Sequence, residues 1–95
     1  MLTMEEAKKI GISACIDKIG YEFCKAHPDN GVSAYGASTR EGYVYCFVGV
    51  SDQPEPTYDE NHEWLLTHDN TWPYYASCDV SLEDGSVEFL ECKLP

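Results

Sequence analysis

The residues best suited to chemistry in this chain of 95 amino acids begin with two histidines. His62 and His68 bracket a His-Glu-Trp-Leu-Leu-Thr-His stretch. A metalloprotease helix needs its histidines four positions apart, and six positions rotate the second ring by about 240°, so the two rings diverge. A loop that brought them together with Asp59, Glu60 or Asp69 would make a metal site. Solvated histidines need no such explanation, and we expect neither a metal nor another cofactor.

The cysteines are the second group that could do chemistry. Their number is odd and no Cys-x-x-Cys pair occurs, which argues against a zinc or redox motif. A reactive thiol needs an electropositive, partly exposed setting, whereas hydrophobic and acidic neighbours raise its pKa. We therefore expect reduced core thiols and no catalytic residue, with an enzyme built on His62, His68 and a cysteine as the third alternative. The five are Cys15, Cys24, Cys46, Cys78 and Cys92.

A stretch of aromatic residues interleaved with acids gives a stronger signal. Tryptophan and tyrosine are frequent interface anchors, and carboxylates around them would pair with Lys or Arg on a partner. The alternative is that both tryptophans close the edge of a small core. The predicted partner-binding residues are Asp52, Glu55, Tyr58, Asp59, Glu60, Glu63, Trp64, Asp69 and Trp72.

The net charge of −11 is unevenly distributed. Residues 51–95 hold eleven acidic side chains against Lys93 alone, so they carry ten of the eleven net negative charges. Such a surface repels nucleic acid and anionic lipid but attracts a basic protein, although acidity also simply keeps a small protein soluble. No apolar run approaches the roughly 20 residues of a membrane span, and no secretory signal is visible, so we expect a cytoplasmic protein.

A long amphipathic helix is predicted over residues 3–26. Thr3 and Glu6 have the spacing of a capping box, and Pro28 stops the helix. Gly11 and Gly20 each weaken it by about 1 kcal/mol relative to alanine, and they would also allow a strand to approach closely. Its apolar face is predicted from two rows, Ile12, Ile16, Ile19, Phe23 and Ala26 beside Ala7, Ile10 and Ala14.

Four strands are predicted near residues 32–38, 43–50, 74–82 and 86–92, with an acidic loop over 51–72. The second strand alternates with apolar residues on both faces, which favours a central place in the sheet. In the last two, Asp84-Gly85 predicts a two-residue hairpin turn that sets Leu82 opposite Val87 and Val80 opposite Phe89. These elements predict one α+β domain over residues 1–95, in which a long N-terminal helix packs on a three- to four-stranded antiparallel sheet.

The last hairpin, Asp79-Val-Ser-Leu-Glu-Asp-Gly-Ser-Val-Glu-Phe-Leu-Glu91, resembles that of two groups of short bacterial modules. These are small immunity proteins of toxin systems and PepSY-like domains. PepSY-like hairpins carry a Thr-Gly pair where this chain has Asp84-Gly85, and they usually follow a secretion signal. The resemblance therefore favours the immunity group, which implies a non-catalytic cytoplasmic inhibitor.

Two functions follow as hypotheses. The first is a non-catalytic intracellular module, an immunity or inhibitor protein, that binds a basic partner through the acidic aromatic loop. The second is a small-ligand module whose pocket, between helix and sheet, is lined by Tyr43, Tyr45, Trp64 and Trp72. The sequence leaves the oligomeric state open, including whether a free strand edge pairs with another copy.

Overall fold

The computed structural model describes residues 1–28, 30–52 and 72–95. In these parts of the chain four strands form one antiparallel sheet in the order β1-β2-β3-β4, and a helix lies across one face. The predicted α+β class, with a helix on a four-stranded antiparallel sheet, is confirmed. The elements are α1 (Met4–Ile19), α2 (Tyr21–Ala26), β1 (Gly31–Ala37), β2 (Tyr43–Val50), β3 (Tyr74–Ser81) and β4 (Val87–Lys93).

The predicted helix over 3–26 is interrupted at Gly20. This residue has a φ of +127°, a conformation that side chains rarely adopt, so α1 ends at Ile19 and a short α2 follows. At the other end the capping box is present as predicted. The Glu6 amide donates to Thr3 Oγ1 and the Thr3 amide donates to Glu6 Oε1, each over 3.1 Å.

The face that α1 buries is narrower and smaller than predicted. Its fully packed line is Ala7, Gly11, Cys15 and Ile19, at intervals of four residues. A Cβ at Gly11 would lie 2.3 Å from the Sγ of Cys46 on β2, so the absence of a side chain allows the helix to approach the sheet closely. Ala7 and Ile19 of the two predicted rows therefore lie at the centre of the contact, whereas the other isoleucines and Phe23 flank it. Ile10, Ile12, Ile16 and Phe23 are partly buried there.

Strand β2 occupies the central position that its sequence predicted, between β1 and β3. Side chains of one parity on β2 and β3 meet α1 and make the core, as the alternation requires. The larger aromatic side chains of β2 project from the other face. The strand contribution to the core is Val44, Cys46, Val48, Val50, Ala76, Cys78 and Val80.

The predicted register of the last hairpin was wrong by two residues. Val80 lies opposite Val87, rather than Phe89, and the turn is wider than two residues. The Ser86 amide donates to Asp84 Oδ1 over 2.9 Å, and Gly85 takes a φ of +76°. From Cys78 to Val80 the shift is even, so side chains there keep their predicted faces, whereas the irregularity between Ala76 and Cys78 changes the register and sets Cys92 opposite Ala76. None of the helices in the described ranges is long and apolar enough to cross a membrane.

Candidate protein-binding surface

Two of the nine predicted partner-binding residues, Asp52 and Trp72, belong to the described part of the chain. They lie at one end of the sheet, where the hydroxyl of Tyr74 donates to the Asp52 carboxylate over 3.3 Å. This bond ties the end of β2 to the start of β3. The other seven predicted residues, with His62 and His68, lie outside the described residues: Glu55, Tyr58, Asp59, Glu60, Glu63, Trp64 and Asp69.

Trp72 packs flat against the sheet. Its side chain is 5% exposed, and its ring carbons lie 2.8 Å from the position that a Cβ on Gly49 would take. Gly49 therefore provides the space for the indole. Trp72 matches the alternative in which a tryptophan closes the edge of a small core, and as placed it offers little surface to a partner.

The sheet face opposite α1 carries a set of half-buried rings, which we call the aromatic face: Tyr43, Tyr45, Phe47 and Tyr75. Phe47 and Tyr75 stack with ring centroids 6.0 Å apart and planes inclined by 23°. Three of the four residues predicted to line a ligand pocket between helix and sheet, Tyr43, Tyr45 and Trp72, lie on the far side of the sheet from α1, and the fourth, Trp64, lies outside the described residues. The described helices do not cover the aromatic face.

A buried carboxylate lies on the same side of the sheet as the rings. Asp79 is 2% exposed, and its Oδ2 lies 3.7 Å from Nη1 of Arg40. Arg40 also hydrogen-bonds Glu88, and its guanidinium carbon lies 3.9 Å from the ring centroid of Tyr43. The hydrogen bond to Glu88 raises the pKa of Arg40, which keeps it charged. Within the described residues the other oxygen of Asp79 has no hydrogen-bond partner.

Tyr45 is the direct neighbour of this carboxylate, because Tyr45 and Asp79 face each other across β2 and β3. Burial raises the pKa of the Tyr45 phenol, and the Asp79 charge acts in the same direction. The phenol therefore stays neutral and keeps its proton for donation. A neutral hydroxyl beside a negative charge suits a surface that receives a cation or a backbone carbonyl from a partner.

The thiols on the helix side are buried rather than reactive. The Sγ of Cys15 lies 3.6 Å from that of Cys78, and burial raises the pKa of Cys46 to about 11. The pKa of Cys78 is raised too, first by its bond with Cys15. Of the three strand cysteines whose surroundings were predicted to raise the pKa, Cys46, Cys78 and Cys92, the first two follow the prediction, and all five cysteines are free. Cys92, which was predicted in the core, is exposed.

Metal binding was tested only on the described residues. There, no group of three His, Cys, Asp or Glu side chains is arranged to hold an ion. The predicted alternative around His62, His68, Asp59, Glu60 or Asp69 lies outside those residues.

Sequence reasoning missed the aromatic face as a surface. The alternation of Tyr43, Tyr45 and Phe47 was interpreted only as the second apolar side of a central strand. The signal for a surface was that the one long predicted helix could cover only one of the two apolar faces of β2. Comparison of the chain with protein-family models, with curated proteins and with solved structures found no match.

Proposed function

We propose that this protein is a non-catalytic binding module whose partner is a basic protein. The observation that supports it best is the aromatic face, a set of half-buried rings on a sheet surface that α1 does not cover. Tyrosine and phenylalanine give large contact area with little side-chain entropy to lose, which makes them frequent anchors of protein interfaces.

The charges around the aromatic face fit a basic partner. Glu88 is exposed on β4 opposite Asp79, Glu91 is exposed further along β4, and Asp52 lies just past the end of β2. These side chains belong to the half of the chain that carries nearly all the net negative charge. A basic protein would be steered to this side by the field and held there by the rings.

The predicted acidic stretch adjoins this surface. Asp52 is its last described residue before the gap, and Trp72 is the first after it, packed on the sheet side that bears the rings. In the proposal, the acids and aromatics of the stretch extend the same interface. They supply the carboxylates that select a basic partner, whereas the aromatic face supplies rigid contact area.

The finer form of the proposal is an immunity or inhibitor protein that neutralises a toxin in the cytoplasm. It rests on the resemblance of the segment Asp79–Glu91 to immunity-protein hairpins and on the lopsided charge. A gene for a basic toxin beside the gene for this chain would support it. A conserved neighbouring gene for an enzyme of small-molecule metabolism would count against it.

Two charge-matched variants test the proposed function. The first, Asp59→Asn/Glu60→Gln/Glu63→Gln, neutralises acids of the predicted stretch. The second, Asp17→Asn/Glu22→Gln/Glu41→Gln, removes the same charge from exposed positions elsewhere. Quantitative pull-down from native lysate is expected to recover one basic partner with the wild type and the second variant, and to lose it with the first. Equal recovery with all three proteins would refute the use of this stretch.

A further inference from the structure

Strand β1 is one edge of the sheet, and half of its backbone groups point away from β2. The Ser38 amide donates to the Tyr43 carbonyl over 3.2 Å, and the Ser51 amide donates to the Asn30 carbonyl over 2.8 Å. In an antiparallel ladder such bonds recur at every second residue, so even-numbered residues of β1 bond β2. The amides and carbonyls of Gly31, Ser33, Tyr35 and Ala37 therefore face outward.

This edge lacks the devices that usually prevent strands from pairing with other chains. The sequence of β1, Gly-Val-Ser-Ala-Tyr-Gly-Ala, has no charge and no proline, and its pairing with β2 runs without a bulge. The opposite edge, β4, carries Glu88, Glu91 and Lys93, and its pairing with β3 is broken by an irregularity. The two edges thus differ in exactly those features that block strand addition.

We propose that a second copy of this chain pairs with β1, antiparallel and about a twofold axis at Ala34. In that register Ser33 lies opposite Tyr35 of the second copy, and Gly31 lies opposite Ala37. These four are the residues with outward backbone groups, so each such pair closes two hydrogen bonds. The pair at the axis is Ala34 with its own copy, which brings the smallest side chain to the closest approach.

A groove beside β1 fits the side chain that this register delivers. It lies between α1 and β1, has a volume of about 330 Å³, and is lined by Ile12, Ile16, Tyr21 and Ser33 among others. Tyr35, which is 41% exposed in one copy, stands directly opposite Ser33 in the pairing and on the helix side of the sheet. Within its own copy the ring contacts α1, since Lys8 Nζ lies 4.6 Å from its centroid and its hydroxyl donates to Glu5 over 3.2 Å. In the pairing its exposed side would lie at the mouth of the groove of the other copy.

The charge distribution favours pairing of two copies through the β1 edge over pairing through the β4 edge. Residues 1–50 hold six acids and five bases, so the surface built by α1 and β1 is nearly neutral. Pairing through β1 keeps the acidic halves of the two copies at the far ends of an eight-stranded sheet. The twofold axis is perpendicular to the sheet, so both aromatic faces lie on one side. The dimer does not depend on the proposed function, but it would present two binding surfaces together.

Sedimentation equilibrium of the full chain tests the pairing. The mass is expected to rise with concentration from the 10.7 kDa monomer towards twice that value. Ala34→Lys sets two like charges against each other at the axis, and we expect it to keep the chain monomeric. Leu90→Lys makes the same change at an exposed position on β4 and should dimerise like the wild type. A monomeric wild type, or dissociation by Leu90→Lys and not by Ala34→Lys, would overturn the proposal.

Cross-linking gives a second measurement that does not depend on weakening the interface. Opposed residues that are not hydrogen-bonded to each other have Cα atoms about 4.5 Å apart, within the range of a disulfide. In a Cys24→Ser/Cys92→Ser background, Ala34→Cys is expected to form an intermolecular disulfide with diamide much faster than Leu90→Cys does. Equal rates at the two edges would contradict the assigned register. Circular dichroism spectra matching the wild type confirm that each variant is folded.

Discussion

The two faces of the sheet show how one set of strands meets two different demands. On the helix side, where α1 crosses β2 and β3, the closest contact is made by small residues, with Gly11 against Cys46 at the centre. On the other side large rings and a buried charge lie side by side, and no helix of the described ranges lies over them. The first arrangement maximises packing density, and the second retains exposed anchors. We expect stability to depend chiefly on the first face, and the proposed function assigns recognition to the second.

The largest loss of stability is expected at Gly11, where α1 packs too closely on the sheet to accept a side chain. Gly11→Val would place a Cβ 2.3 Å from Cys46 Sγ and 2.9 Å from Val80 Cγ2, so α1 would have to move off the sheet. We expect the free energy of unfolding in urea to fall by about 3 kcal/mol. Gly36→Val is the matched control, because a Cβ there meets nothing within 4 Å. Equal losses for the two variants would show that the helix contact is loose.

A smaller loss of stability is expected where Trp72 packs on Gly49, on the sheet face opposite α1. Gly49→Ala would place a methyl group 2.8 Å from the indole of Trp72, and the ring is more easily displaced than a backbone. We expect a loss of about 1–2 kcal/mol. In a Trp64→Phe background, the fluorescence of Trp72 should shift to longer wavelength as the indole becomes hydrated. An unchanged spectrum would contradict the described position of the ring.

The buried carboxylate of Asp79 predicts that a second substitution restores the stability lost with Arg40. Arg40→Ala leaves Asp79 buried without its cation, and we expect the free energy of unfolding to fall, by less than for a fully buried pair because the Arg40 side chain is 44% exposed. Arg40→Ala/Asp79→Asn removes the uncompensated charge and should recover most of that loss in urea unfolding. A double variant less stable than Arg40→Ala would mean that the ion pair does not govern this site.

The buried thiol of Cys46, on the helix side of the sheet, makes the stability of the protein depend on alkaline pH. The fold raises the pKa of Cys46 from 9.0 to about 11, because burial favours the neutral thiol. The stability that this contributes is fully present below pH 9.0 and is lost as the pH rises through about 11. We expect the urea midpoint to decline over that interval, and Cys46→Ala to decline less steeply. Parallel curves for the two proteins would assign the decline to other groups.

Local signals in the sequence predicted the regular elements well. The alternation of apolar residues predicted β2 over 43–50, with the bounds that it has, and the capping box placed the start of α1. These features depend on neighbours along the chain, so no tertiary information was needed.

The errors concern choices that tertiary contacts decide. Bulky isoleucines outweighed Gly11 and Cys15 in the pattern, although the closest contact requires small residues. Asp84-Gly85 gave the place of the turn but not its width, because the Asp84 side chain bonds Ser86 and enlarges it. Arg40 and Asp79 lie 39 positions apart, and no spacing rule connects them. The aromatic face was therefore not predicted as a surface, and the role of the acidic stretch stays a prediction, because seven of its nine named residues lie outside the described residues.

Footprinting of tyrosines tests the central claim, that recognition uses the face opposite α1, most directly. The chain is oxidised by hydroxyl radicals at one fixed concentration, with and without its captured partner, and each tyrosine is quantified by mass spectrometry. Tyr21 and Tyr35 report on the helix side, where they are 57% and 41% exposed. We predict that the partner protects Tyr43, Tyr45 and Tyr75 and leaves those two unchanged. Protection of Tyr21 and Tyr35 alone would contradict the account.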